Sequence, residues 1–242
     1  MKAIILAAGV SRRLYPLTLD TPKSLLKINN KPIIDYQLDA LRSLGVSEII
    51  LVLGYYKELF IDHFKKNHND FKLSVITNHH FFETNTSYSV WLCQEIAQDD
   101  DILLMNADVL FPIELLKRLI VSKQKNLLAV EIKQCGQEEV KVIEGENKRI
   151  VAIGKKLIEE NSLGEFIGVA KFSQLFMKEF FNSLNNLISA GGKSDYFEAA
   201  IDPLLSENAL YYEDVTDLPS KEIDFIEDFE EAKSIVDSVF YK

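Results

Sequence analysis

The chain has 242 residues, 47% hydrophobic and 26% charged, which is enough for one α/β domain with a substantial core and ordinary for a globular enzyme. Its net charge of −10 argues against a broad grip on a phosphate backbone, so no nucleic acid is expected as a partner; a phosphorylated small molecule needs only a few local cations. The two cysteines, Cys93 and Cys135, match no metal-ligand spacing, and no run approaches the roughly 18 apolar residues of a membrane span, so a cytoplasmic protein with reduced cysteines and no membrane span is expected.

Ala3 to Ala8 reads as a fully buried strand running out into a polar loop. A helix is predicted over Ile33 to Leu44 with Gly45 as its stop, then a buried strand over Glu48 to Leu53 and a helix over Tyr56 to Lys66. The alternation continues with a strand at Leu73 to Thr77, a helix at Ser87 to Ala97 and a strand at Ile102 to Met105, which ends at Asn106-Ala107-Asp108. A helix at Ile113 to Ser122 and a strand at Leu127 to Ile132 follow. This spacing predicts an α/β fold with a mostly parallel, mixed sheet flanked by helices. After Lys133 the rhythm changes to short strands at Val140 to Glu144, Ile150 to Ile153 and Phe166 to Phe172, with Glu146-Asn147-Lys148 as a hairpin turn: a small antiparallel lobe. Helices return at Gln174 to Leu187 and Tyr196 to Leu205, then a strand at Ala209 to Asp214 and a last helix at Asp228 to Val239. No linker interrupts the chain, so residues 1–242 are read as a single domain, with a nucleotide-binding part at about 1–132 and an acceptor-side lobe with the C-terminal helices at about 133–242.

The first strand leaves through Leu6-Ala7-Ala8-Gly9-Val10-Ser11-Arg12-Arg13-Leu14-Tyr15-Pro16-Leu17-Thr18, with Thr21-Pro22-Lys23 just beyond. Small residues at a strand exit let the backbone approach a base or phosphate, successive N–H groups can form an anion nest, and Arg13 and Lys23 add two cations. There is no GxxxxGK[ST] and no GxGxxG, which sets aside a Walker loop and argues against a dinucleotide-dependent dehydrogenase.

The whole stretch closely resembles the N-terminal signature of the sugar-nucleotide pyrophosphorylase or nucleotidyltransferase superfamily. It departs from that pattern at Ser11, where the family often has glycine, and at Arg12, where it often has serine or threonine. The likeness continues through Lys31-Pro32-Ile33-Ile34-Asp35-Tyr36-Gln37, Asp108 and Glu222-Ile223-Asp224. It implies a Rossmann-like fold and the reaction NTP + R–phosphate → NDP–R + pyrophosphate. By the same resemblance, Leu6, Ala7, Ala8, Gly9, Arg13, Lys23 and Ser89 are expected at the nucleotide, with Arg13 and Lys23 also serving catalysis. Asp108 and Asp224 are expected to hold Mg²⁺; by position alone each reads equally as a turn or helix-cap aspartate. A lysine of the second lobe should meet the acceptor's phosphate, Lys155 and Lys156 being equal candidates, and Glu165 and Glu198 should border the acceptor.

At a finer level, the Asn85-to-Trp91 segment and the Glu222-Ile223-Asp224 ending are similar to bacterial CTP:phosphocholine cytidylyltransferases. CTP and phosphocholine are therefore the leading substrates, against a sugar-1-phosphate with UTP, dTTP or GTP, or a catalytically silent nucleotide-binding regulatory module. Tyr88, Trp91, Phe111, Tyr196 and Phe197 are candidates for an aromatic cage around a quaternary ammonium, or else for core. His79-His80 lacks partner ligands and reads as loop. A monomer and a homo-oligomer are both compatible with the sequence.

Overall fold

The computed structural model describes residues 1–239. Strand β1 (Lys2–Ala7) exits into a loop with single 3₁₀ turns at Arg12–Leu14 and Lys23–Leu25, and a small hairpin of β2 (Lys27–Ile28) and β3 (Lys31–Pro32) delivers the chain to α1 (Ile33–Ser43). Next come β4 (Glu48–Leu53), α2 (Lys57–Asn67) and β5 (Lys72–Thr77). Two short helices, α3 (Thr86–Trp91) and α4 (Gln94–Ala97), precede β6 (Ile102–Asn106), β7 (Val109–Leu110), α5 (Ile113–Val121) and β8 (Leu127–Glu131). The rest of the chain is β9 (Lys141–Glu144), β10 (Ile150–Gly154), β11 (Gly164–Phe172), α6 (Gln174–Ser189), α7 (Glu198–Ile201), β12 (Tyr211–Asp214), β13 (Lys221–Glu222) and α8 (Ile226–Val239).

Most of these strands join one nine-stranded mixed sheet, in the order β10-β9-β11-β6-β1-β4-β5, with β8 paired to β11 and β12 to β8. β1 lies parallel between β4 and β6, and β5 is parallel to β4. β11 runs antiparallel to β6, to β8 and, at its start, to β9. The predicted antiparallel lobe therefore extends the same sheet. Helices cover both faces because each central strand is apolar on both: Ile4, Leu6 and Ala8 of the first exit pack into one core, Ala3, Ile5 and Ala7 into the other.

Two predicted helices are shorter in the fold. The segment over Ser87 to Ala97 breaks into α3 and α4 because Cys93 N bonds Val90 O and Ile96 N bonds Cys93 O, tightening the turn between them. Tyr196 to Leu205 reduces to α7 and a 3₁₀ turn at Asp202–Leu204, where Pro203 has no N–H to continue the α ladder.

The C-terminal segment turns on a contact far apart in sequence. β13 pairs antiparallel with β7, Lys221 opposite Leu110 and Glu222 opposite Val109, and Ile223 N donates to Asp108 O at 3.1 Å. Behind that pairing, Ile223, Phe229, Ala232 and Val236 pack with Leu14, Leu26, Ile33 and Tyr36 in a third small core. This satellite core carries α8 to the loop that bears Lys23. No helix of the described residues is long and apolar enough to cross a membrane.

Candidate active site

The parallel strands β1, β4 and β6 point their carboxyl ends the same way, and a cleft of about 820 Å³ opens beyond them. Leu6, Ala8, Gly9 and Ser89 line it beside the first loop; Ala7, one residue out of phase, faces the opposite core instead. The loop is clamped from below at Gly54, where any Cβ would fall 2.6 Å from Ala8 O and 2.7 Å from the Phe81 side chain. Ser11 adopts the left-handed conformation (φ 53°) that a glycine there would take freely, held by a bond from Thr18 Oγ1 to its carbonyl at 3.0 Å. Serine in that place thus keeps the loop's shape. Asn78, buried at the end of β5, donates to Ser89 Oγ and Thr84 Oγ1 and accepts from His80 N, so it fixes the wall of the cleft at Ser89.

At the centre of the cleft stand Asp108, Glu222 and Asp224, whose nearest carboxylate oxygens all lie within 4.8 Å of one another. Lys23, only 9% exposed at its side chain, places its ammonium 2.7 Å from Asp108 Oδ2 and 2.7 Å from Asp224 Oδ1. Burial works against that charge, but Asp108 and Asp224 outweigh it and hold Lys23 above the ordinary lysine range. Arg13 Nη1 donates to Asp224 Oδ2 at 3.3 Å, and its Nη2 lies 3.7 Å from Glu138. Asp108 Oδ1 is buried without a hydrogen-bond partner among the described residues. Glu222 opens onto the cleft, yet the protein around it, then the charges of Asp108 and Asp224, push its pKa up to about 8. Gln37 supports the cluster from behind, donating to Asn106 O at 2.8 Å and Val109 O at 2.7 Å on either side of Asp108.

The end of the cleft towards β8 to β11 is lined by Glu131, Lys133, Glu138, Glu139, Lys155, Glu165, Tyr196 and Glu198. Lys155 lines the cleft, while Lys156 is exposed outside it. The fully buried Lys141 ammonium donates to the carbonyls of Lys155 at 2.7 Å and Glu139 at 3.3 Å, tying together two segments that line this end. Glu165 pairs with Lys133 at 2.6 Å. Burial pushes Glu165 upward in spite of that contact, whereas Lys133, facing Glu131 as well, is held above its ordinary range and keeps its proton. Glu198 is 4% exposed, and burial pushes it up to about 7, with Lys155 acting the other way.

The five aromatic residues singled out in the sequence do not come together. Phe111 and Phe197 are fully buried core. Tyr88 and Trp91 stack on each other at 5.4 Å outside the cleft lining, with Trp91 Nε1 bonded to Asn185. Tyr196 alone of them reaches the cleft, and the Lys155 ammonium already sits 4.4 Å from its ring centroid. His80 is exposed and pairs with Glu83 at 2.8 Å.

Residues 2–141, more than half of the chain, match the family model described as nucleotidyl transferase. The chain belongs to the nucleotidyl transferase family. A CTP:phosphoglutamine cytidylyltransferase of Campylobacter jejuni is 30% identical over 194 residues, spanning 74% of this chain and 76% of the relative. A choline-phosphate cytidylyltransferase of Streptococcus pneumoniae is 42% identical over 95 residues, 39% of this chain and 40% of that protein. The solved CTP:phosphocholine cytidylyltransferase of Streptococcus pneumoniae superposes with a TM-score of 0.81 at 24% identity, covering 97% of this chain and 98% of that one, which shows a shared fold. The chain is a nucleotidyltransferase, with cytidylyltransferases among its relatives.

Sequence reasoning passed over Asn78, Gln37's two carbonyl bonds, Lys133 and Lys141, and it took Glu222 for part of a resemblance rather than a third carboxylate. One signal for Glu222 was present: in an extended Glu222-Ile223-Asp224 the two acids share a face while Ile223 turns to the core.

Proposed function

We propose that the chain moves CMP from CTP to a small phosphorylated acceptor with a positively charged head group, phosphocholine leading, with Mg²⁺ at Asp108, Glu222 and Asp224. The observation that carries the acceptor class is the charge of the acceptor end, where Glu131, Glu138, Glu139, Glu165 and Glu198 stand against Lys133 and Lys155. That surplus of carboxylates favours a cation, although the five aromatic residues singled out in the sequence do not gather around it. Cytosine is supported by the two cytidylyltransferase relatives.

The residues present fit a hard divalent cation: the donors are all carboxylate oxygens, and the orphaned buried Asp108 Oδ1 wants a positive partner. When bound, Mg²⁺ neutralises charge on the phosphates and on the pyrophosphate that leaves. The chain's own residues position the reactants. Ala8, Gly9 and Ser89 border the nucleotide, Arg13 and Lys23 offset the charge of the leaving pyrophosphate, and Lys155 meets the acceptor's phosphate. An acceptor phosphate oxygen then bonds to the α-phosphorus as the bond to the bridging oxygen breaks opposite, and no covalent enzyme intermediate is needed.

Pyrophosphate release tests this, with CTP or UTP crossed against phosphocholine, phosphoglutamine and glucose-1-phosphate. CTP should exceed UTP by about tenfold or more in kcat/KM, the consequence of one unpaired polar group worth about 1–3 kcal/mol. Phosphocholine should exceed glucose-1-phosphate. Preferred turnover of phosphoglutamine would keep cytidylyl transfer and replace choline; preferred glucose-1-phosphate would overturn the cationic acceptor.

A further inference from the structure

Arg12 stands where the signature usually carries a small hydroxyl residue, and its surroundings give it a use. The loop that bears it is fixed: Ser11 is left-handed, its carbonyl is held by Thr18 Oγ1 and Leu14 N, and Arg12 lines the cleft beside Arg13 and Lys23. Both of those neighbours are engaged. Arg13 lies against Asp224 and Glu138, and Lys23 bridges Asp108 and Asp224. Arg12 makes no ion pair among the described residues; its guanidinium lies 5.7 Å from the ring centroid of Phe82, which is 64% exposed. A cation on an exposed ring is weakly held. A phosphate offers a guanidinium two parallel charge-assisted bonds, which are far stronger.

Charge points the same way. Arg13 and Lys23 already face Asp108, Glu222 and Asp224, so a third cation on the same loop adds to the positive charge that can meet a triphosphate. We propose that Arg12 is a further phosphate-binding residue of the site, leaving the face of Phe82 to engage the β- and γ-phosphates of the nucleotide and the pyrophosphate derived from them. This inference rests on the nucleotidyl-transfer reading above and assigns a residue that the signature does not supply.

The test is equilibrium binding of inorganic pyrophosphate, CTP and CMP, each in Mg²⁺ buffer, to the full chain and its variants. Arg12→Ala should weaken pyrophosphate and CTP about tenfold or more, the loss of a charge-assisted pair. It should leave CMP, which has no β- or γ-phosphate, within about twofold, and Arg12→Lys should recover part of the loss because it restores charge without the fork. Phe82→Ala removes the ring but not the cation and should keep pyrophosphate affinity. Three outcomes overturn the assignment: unchanged pyrophosphate and CTP binding in Arg12→Ala, an equal loss for CMP, or a matching loss in Phe82→Ala, which would place the effect in loop packing. If the wild-type chain binds none of pyrophosphate, CTP and CMP, the reading of the cleft as the CTP site fails and the assignment falls with it.

Discussion

At Glu198, burial and chemistry act against each other. The side chain opens α7 almost wholly inside the protein, and Oε2 has no hydrogen-bond partner among the described residues. Burial pushes its pKa up to about 7, with Lys155 drawing it back, so the group changes charge across the neutral range. Below that value it is a neutral acid with little to offer a cation; above it the carboxylate attracts one. The KM for a cationic acceptor should therefore fall as pH rises from about 6 to 8, following an ionised fraction that drops about tenfold per pH unit below the pKa. Glu198→Gln should flatten this profile and leave the KM for CTP unchanged, which steady-state kinetics across that range will check. A glutamine variant that keeps the wild-type slope assigns the titration elsewhere. Glu198 was visible in the sequence as a candidate, but its titration was not, because burial is a property of everything packed around it. The same holds for Lys155 and Lys156: adjacent and chemically identical, they are separated only by which one the end of β10 turns into the cleft.

Between elements, one carboxylate joins α1 to α2. Asp35 Oδ1 receives His63 Nε2 at 2.7 Å and His68 Nε2 at 2.9 Å. These three residues are close enough to surround an ion, but Arg42 Nη2 lies 3.1 Å from His68 Nδ1, and a guanidinium can only donate. His68 Nδ1 must then carry the lone pair and Nε2 the proton, so the group is a hydrogen-bonded staple. The two imidazole donors overcome burial and push Asp35 down to about 2. A depressed carboxylate contributes stability that is present above its ordinary value near 4 and is lost as pH falls from about 4 towards 2. Asp35→Asn should cost about 1–3 kcal/mol at pH 7, and the difference from wild type should shrink towards pH 2. Urea denaturation at both pH values measures it; a deficit independent of pH would mean that shape rather than charge is lost. The helices themselves were legible from apolar periodicity, whereas this link was not, since Asp35 and His68 belong to separate elements.

Over the whole molecule, the carboxylates Asp108, Glu222 and Asp224 stand between the first loop and the last helix, and Lys23 occupies their middle. Its ammonium already compensates Asp108 and Asp224, so the fold should not depend on the Mg²⁺ proposed there. EDTA should abolish turnover while moving the Tm by no more than about 2 °C, the shift expected for a few tenths of a kcal/mol in a chain this long. Asp224→Ala should lower kcat about 10²-fold or more and stay folded. A large drop in Tm on chelation would make the ion structural instead. The alternation of buried strands and amphipathic helices, the small-residue exit of β1 and the cations Arg13 and Lys23 were determined by the sequence alone, because each is a local pattern of a few consecutive residues. That Glu222 joins Asp108 and Asp224 with Lys23 between them, that Lys155 rather than Lys156 lines the cleft, and that Tyr88, Trp91, Phe111, Tyr196 and Phe197 do not gather in one place were decided only by tertiary structure. The pairing of β13 with β7 brings together residues more than a hundred positions apart, and no local pattern records which distant strand end will close on which.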